Sequence, residues 1–324
     1  MSSIMTNTAA LTALQSLNAT NKSLQDTQAR ISTGYRVSQA SDNAAYWSIA
    51  TTMRSDNQAM STVSDSLGLG ASKVDTAYTG MSNAITTINS IKQKLVSAYG
   101  QTDADKEKTQ TEITALQAQL KSYADGATFS GTNMLSVSTA SGTAADVKIV
   151  SAFNRDAAGK ASISTIDVKV ESTKLYDSGA APTTKGILDA ARLGTTGVIT
   201  ATAQAPTMGA APVANDTYSV ATLTVKGASD AQIAQQMNVV DAALKDMTNA
   251  ATTLGAAKSS IDLQKTFTSN LMDSIDRGVG QLVDADMNKE STRLQALQVQ
   301  QQLGIQALSI ANGSSQSILS LFRG

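Results

Sequence analysis

The sequence predicts a mainly α fold: a long antiparallel helical bundle or coiled coil built from both chain ends, with a small β-rich domain inserted in the middle. All three prolines lie between positions 182 and 212. Because proline breaks helix interiors, the long flanks on either side are free to form continuous helices. Aromatic residues make up only 4% of the chain, although hydrophobic residues make up 41%. Small aliphatic side chains therefore dominate, which suits thin helix–helix seams.

The composition also limits the chemistry that the chain can perform. Histidine and cysteine are both absent, which excludes a Ser-His-Asp triad, a cysteine nucleophile, and zinc or haem held by His or Cys. The net charge is −1, so no basic field attracts nucleic acid. Neither a secretory signal peptide nor a membrane-spanning apolar run is recognisable. We therefore expect no enzyme activity, no cofactor or metal, and neither nucleic-acid nor membrane binding.

The strongest periodicity predicts one helix over residues 42–98. Large apolar residues recur every seven positions and small ones fill the offset positions, which is the pattern of a helix seam. Ser41 and Asp42 are suitable N-caps. Glycine costs ~1 kcal/mol inside a helix, but Gly70 lies on the seam, where a close approach would offset that cost. Two shorter helices broken near 68–70 are the alternative. The seam positions are Met53, Met60, Leu67, Val74, Met81, Ile88 and Leu95.

A matching pattern lies towards the other end of the chain. It predicts a second long helix, and a shorter helix is predicted over 104–125. Complementary seams of this kind should pack side by side. The second group of seam positions is Ile233, Val240, Met247, Leu254 and Ile261.

The middle of the chain, about 129–229, is rich in Gly, Ala, Thr and Ser and has a different character. Short runs of β-branched and aromatic residues predict strands in this segment, and residues 186–193 predict a short helix. The segment is therefore expected to be a β-rich insertion. The predicted strands are 147–150, 163–170, 196–202 and 218–225.

The two chain ends contain no charged residues over 1–21 and 294–322, yet both keep helical apolar spacing. Such helices are marginal alone, so we expect these arms to be disordered in a free subunit. Burying a charge is expensive, so a charge-free polar face indicates an arm that is enclosed after assembly; a solvated low-complexity tail is the alternative. The arm positions are Ile4, Leu11, Leu14, Leu17, Leu24, Ile31, Leu294, Leu297, Ile305, Leu308, Leu319 and Phe322.

Several short runs, most of them near the two chain ends, carry recognisable motifs. The run 29–45, ARISTGYRVSQASDNAA, resembles the N-terminal flagellin signature. The C-terminal runs 307–312 (ALSIAN), 316–319 (QSIL) and 321–323 (LFR) resemble the other flagellin end, and 128–135 (TFSGTNML) is similar to the turn after the short second helix. The similarity is greatest to flagellins of plant-associated α-proteobacteria.

The resemblance implies a domain organisation. Residues 1–40 and 285–324 would form inner coiled-coil arms. Residues 41–170 and 228–284 would form a helical rod domain with a β-hairpin. Residues 171–227 would form a variable, β-rich outer domain.

The resemblance also implies a function. Subunits would self-polymerise, alone or with sister flagellins, into the extracellular filament that drives swimming. The partners would be hook-associated junction and cap proteins and an export chaperone of the flagellar type III route. A hook–filament junction protein and a secreted coiled-coil adhesin are the alternatives.

One segment of the resemblance aligns with a stretch that plant receptors recognise in many flagellins. Its marker positions are Arg30, Gly34, Arg36, Asp42 and Asn43. This chain departs from the common pattern, since Asn43 replaces an Asp there. The region that an animal innate receptor binds also differs, with Lys where Arg is common. These departures do not favour recognition by either receptor.

Overall fold

The computed structural model describes residues 7–139, 142–156, 159–179 and 185–321 and is mainly α-helical, which confirms the predicted fold class. No helix in these ranges is long and apolar enough to span a membrane. The chain divides into two compact units, which we call unit 1 (Met1–Gln58 and Leu271–Gly324) and unit 2 (Ala59–Asn270). The helices are α1 (Thr8–Thr33), α2 (Ala44–Ala98), α3 (Asp103–Gly126), α4 (Asp230–Val283) and α5 (Met287–Leu321).

Helix α2 is continuous, so the alternative of two shorter helices is wrong. The predicted N-caps are also wrong. The Oδ1 of Asn43 accepts a hydrogen bond from the Tyr46 N–H at 3.1 Å and caps the first turn. Asp42 instead accepts a hydrogen bond from the backbone N–H of Ser38 at 3.0 Å, which closes the turn before the helix.

The heptad positions of α2 and α4 lie in the hydrophobic core of unit 2, to which α3 and the middle segment also contribute. The two helices are antiparallel there: Lys92 pairs with Asp241 at 2.6 Å near one end, and Asp75 pairs with Lys258 further along. Along α2, the large residues at every seventh position alternate with mostly smaller residues at the offset positions. The seam residues that the structure buries are Met60, Leu67, Val74, Met81, Ile88, Leu95, Ile233, Val240, Met247, Leu254 and Ile261. Met53 lies in unit 1 and is half-buried.

The described residues of the middle segment form four two-stranded pairings. The longest is an antiparallel hairpin with a bulge between Val150 and Ala152. Two further pairings are antiparallel and one, between Ser136–Val137 and Tyr176–Asp177, is parallel. The strands are β1 (Thr128–Phe129), β2 (Thr132–Asn133), β3 (Ser136–Val137), β4 (Val147–Arg155), β5 (Ala161–Val168), β6 (Tyr176–Asp177), β7 (Arg192–Leu193) and β8 (Thr217–Tyr218).

Three local predictions for this segment are wrong. Residues 186–193 form turns that lead into β7 rather than a helix. A Cβ at Gly186 would lie 2.4 Å from the Leu175 carbonyl carbon, so a tertiary backbone contact sets the conformation there. Residues 196–202 supply only a single bridge at Ile199. Of residues 218–225, only Tyr218 belongs to a strand, β8, and Val220–Thr222 form a 3-10 helix.

Replacing either of two glycines of α2 by alanine should change the stability of the protein, in opposite directions. At Gly70 an added Cβ would lie 2.4 Å from Cγ2 of Ile149 in β4, whereas at Gly68 no atom lies within 4 Å. Alanine gains ~1 kcal/mol of helix propensity at either position, but overpacking costs ~1–3 kcal/mol. We expect Gly68→Ala to stabilise the protein and Gly70→Ala to destabilise it, as measured by urea unfolding. Equal shifts in both variants would contradict this packing.

Candidate assembly surface

Helix α1 carries the N-terminal arm, and its two ends have well-defined caps. The Oδ1 of Asn7 accepts a hydrogen bond from the Ala10 N–H at 3.0 Å. At the other end Gly34 has a φ of 74°, and its N–H donates to the Arg30 carbonyl at 2.8 Å. Glycine adopts this left-handed conformation without strain. The chain therefore leaves the helix sharply at Gly34.

Helix α5 carries the C-terminal arm and packs antiparallel against α1. The Nδ2 of Asn7 donates to the Ala311 carbonyl at 2.9 Å. Midway along the pair, the Nε2 of Gln301 donates to the Oδ1 of Asn21 at 2.8 Å. Between the two described helices, Arg30 forms an ion pair with Glu290, and the hydrogen bonds of Asn7 and Gln301 join uncharged groups.

That ion pair lies where α1 ends and α5 begins. The Arg30 Nη1 lies 3.4 Å from the Glu290 Oε1, and Glu290 is 7% exposed. Arg30 is in the last turn of α1 and Glu290 is in the first turn of α5. Each charge therefore also complements the dipole of its own helix.

The connection after α1 pairs with the end of α4. The backbone N–H groups of Arg36 and Val37 both donate to the Val283 carbonyl, at 2.6 and 3.2 Å, and the Ala285 N–H donates to the Gly34 carbonyl at 2.8 Å. A small apolar cluster beneath these bonds holds both segments in place. Its buried members are Val37, Ala50, Val279 and Val283.

All five residues of the receptor-epitope-like segment have structural contacts. Arg30 and Gly34 take part in the ion pair and the helix end described above. The Nη2 of Arg36 donates to a backbone carbonyl of α4 at 2.9 Å. Asn43 caps α2. The carboxylate of Asp42 accepts hydrogen bonds from the backbone N–H groups of Ser38 and Gln39, which hold its pKa below the usual value. Whether a receptor binds this segment stays a prediction.

The predicted arm positions divide into two groups. Some face the partner helix: Leu297 is buried, and Leu17, Leu24, Ile31, Leu294 and Leu308 are half-buried. Others point away, since Leu11, Leu14 and Ile305 are between 44% and 57% exposed. Ile4, Phe322 and the side chain of Leu319 lie outside the described residues.

A second apolar stripe of α5 was not found by sequence reasoning. Val299, Leu303 and Ile310 are spaced as one helix face and are 56%, 59% and 72% exposed. The signal was present, because apolar residues occur on two faces of α5 rather than one. Together with the exposed predicted positions they form what we call the arm surface. Its residues are Leu11, Leu14, Val299, Leu303, Ile305 and Ile310.

The side chains of the arm surface are apolar, uncharged and exposed in the described chain, so the surface is suited to association rather than to turnover. No group of three or more acidic side chains in the described ranges could hold a metal ion.

Comparison with known proteins decides the family. Residues 4–140 match the model of the bacterial flagellin N-terminal helical region, and residues 237–322 match that of the C-terminal helical region. The chain is 49% identical to flagellin C of Rhizobium meliloti (strain 1021) over the full length of both proteins. The chain belongs to the bacterial flagellin family.

Further flagellins agree over the same extent. A flagellin of Brucella melitensis biotype 1 is 48% identical, and flagellin A of Rhizobium meliloti is 44% identical, each over the full length of both chains. The predicted resemblance to flagellins is therefore confirmed. Flagellin family membership identifies the chain as a structural protein.

Proposed function

We propose that this chain is the structural subunit that polymerises into the extracellular bacterial flagellar filament, the propeller for swimming. The observation that carries the proposal is the full-length similarity to flagellins. The arm surface supports it, because the helices that match the two flagellin regions expose apolar residues. Association and not catalysis is then the activity of the chain.

Assembly would be driven by enclosure of the arms. Each exposed apolar side chain contributes ~25 cal/mol per Å² when it is removed from water. The polar positions between them are Ser, Thr, Asn and Gln, which hydrogen bonds satisfy at lower cost than buried charges. Ordering the arms costs ~1–2 kcal/mol per residue in backbone entropy. We therefore expect arm folding and polymerisation to be one coupled event.

Other partners of the chain follow from the same family membership. Export by the flagellar type III route with a chaperone, and contacts with junction and cap proteins at the filament ends, belong to the proposal. Co-assembly with sister flagellins has separate support, since Rhizobium meliloti (strain 1021) has flagellins A, B, C and D among the relatives of this chain.

The domain organisation is also part of the proposal. Residues 1–40 and 285–324 would line the filament interior, and 171–227 would face solvent. The compact units divide the chain at other points, after Gln58 and after Asn270. The proposed division therefore concerns position in the filament rather than compactness of the isolated subunit.

Limited proteolysis together with electron microscopy tests the function. In the free subunit we expect rapid loss of the two arms, and in assembled material their protection, because enclosure removes them from the protease. Micrographs of purified protein seeded with filament fragments should show long polymers. Short or absent polymers would favour a junction protein. Arms equally resistant in both states would favour an adhesin and overturn the coupled assembly.

A further inference from the structure

The helix pair of α1 and α5 is tied at its two ends, by the bond from Asn7 to Ala311 at one and by the Gly34–Ala285 bond beside the Arg30–Glu290 ion pair at the other. Little else fixes its register along the length between them. Apolar positions recur every three or four residues along both helices, so sliding by one turn would still bring apolar stripes together. Interhelical charges usually select one register. In the described pair only Arg30 and Glu290 offer such a charge contact, and they lie at one end.

Two uncharged contacts lie in the middle of the pair. Gln301 and Asn21 are half-buried and share the 2.8 Å amide hydrogen bond. One turn further along, Leu17 lies over Gly304, where an added Cβ would be 3.2 Å from Leu17 Cδ1. A slip of one turn would separate the amides and set Leu17 against Gln300 or Leu308 instead of glycine.

We propose that Asn21 and Gln301 are positioning residues that set the register of the two arms. A half-buried amide without a partner is costly, so every slipped arrangement is penalised, much as a single buried Asn selects one arrangement in a coiled coil. The register in turn decides which residues form the arm surface. The inference rests on the proposed function, because a defined surface matters for identical neighbours in a filament.

Disulfide trapping reads the register directly, since the chain has no cysteine of its own. The Cβ position of Gly304 lies 3.9 Å from the Leu17 Cβ, within the usual disulfide range of ~3.5–4.5 Å. The reporter pair Leu17→Cys with Gly304→Cys marks the native register. Leu17→Cys with Gln300→Cys, or with Leu308→Cys, marks a slip of one turn in either direction.

Each reporter pair is placed in three backgrounds and co-assembled as a minor fraction with the unaltered chain. In the native background we expect crosslinks at 17–304 only. Asn21→Leu with Gln301→Leu removes the amide penalty, so slipped crosslinks should rise by about tenfold or more. The exchange Asn21→Gln with Gln301→Asn keeps a long and a short amide and should restore the native pattern.

The inference is overturned when the leucine background still gives crosslinks at 17–304 alone. Where that background is not taken into filaments, Gln301→Met keeps the side-chain length, removes the hydrogen bond and gives the same readout. Failure of the unaltered chain to polymerise would instead overturn the proposed function, so the two failures are distinguishable.

Discussion

Leu303→Asp is expected to stop filament growth while unit 2 stays folded. Leu303 is 59% exposed in the subunit, so an aspartate there remains hydrated and costs the isolated chain little. Enclosure in the filament would strip water from that carboxylate without supplying a cation, at several kcal/mol per subunit. The critical concentration for polymerisation should therefore rise by about a hundredfold or more. Sedimentation of assembled from free protein measures it.

Val198→Asp is the matched control. Val198 is also 59% exposed, but it lies within the proposed outer domain. The same charge at the same exposure should leave the critical concentration unchanged. Circular dichroism should show native helix content in both variants. Normal filaments from Leu303→Asp, or an equal block by Val198→Asp, would show that the arm surface is not the assembly interface.

The helical part of the fold could be predicted because its signals are local and repeated. A heptad seam such as Leu67, Val74 and Met81 predicts both the helix and the face of it that is buried. The glycine at position 70 was expected to allow a close approach, and the structure supplies the partner, Ile149 of β4. Which element would fill that space depended on long-range packing that periodicity does not contain.

The arms illustrate a different limit. Periodicity identified one apolar stripe but not which face of α5 would meet α1, so Leu303 and Ile310 were missed. The register contacts of Asn21 and Gln301 were also missed, because Asn and Gln are frequent in both arms and their pairing depends on how the helices align. Only the placed backbones distinguish a paired amide from a solvated one.

The middle segment departs furthest from prediction, because tertiary contacts rather than local propensity decide its conformation. A buried ion cluster at β6 shows this most clearly. The Lys174 Nζ lies 2.8 Å from the Asp177 Oδ2 and 2.8 Å from the Glu171 Oε2, while Lys174 is 1% exposed. The other Asp177 oxygen accepts the backbone N–H groups of Thr139 and Gly179, at 2.8 and 2.9 Å. One charged cluster thus joins residues 171–179 to the separate stretch at Thr139.

Removing the lysine should destabilise unit 2 strongly. Lys174→Met leaves a buried carboxylate without its cation, which costs ~3–5 kcal/mol in comparable buried pairs. Lys148→Met, on an exposed position of β4, is the control and should change the free energy of unfolding by less than ~0.5 kcal/mol. Urea unfolding at neutral pH separates the two variants. A cost of Lys174→Met as small as that of the control would mean that the cluster is solvated.

The pH dependence gives an independent check on the same cluster. Burial alone raises the pKa of Asp177, but the hydrogen bonds from Lys174 and Thr139 outweigh it and hold the pKa well below the usual value. A depressed carboxyl pKa contributes stability that is complete above its unfolded value of ~3.9 and is lost as the pH falls towards the folded value. The unaltered chain should therefore lose stability below about pH 4. Lys174→Met weakens the depression of the Asp177 pKa. The difference in free energy of unfolding between this variant and the unaltered chain should therefore shrink in acid. A difference that is constant with pH would indicate lost packing and not lost charge.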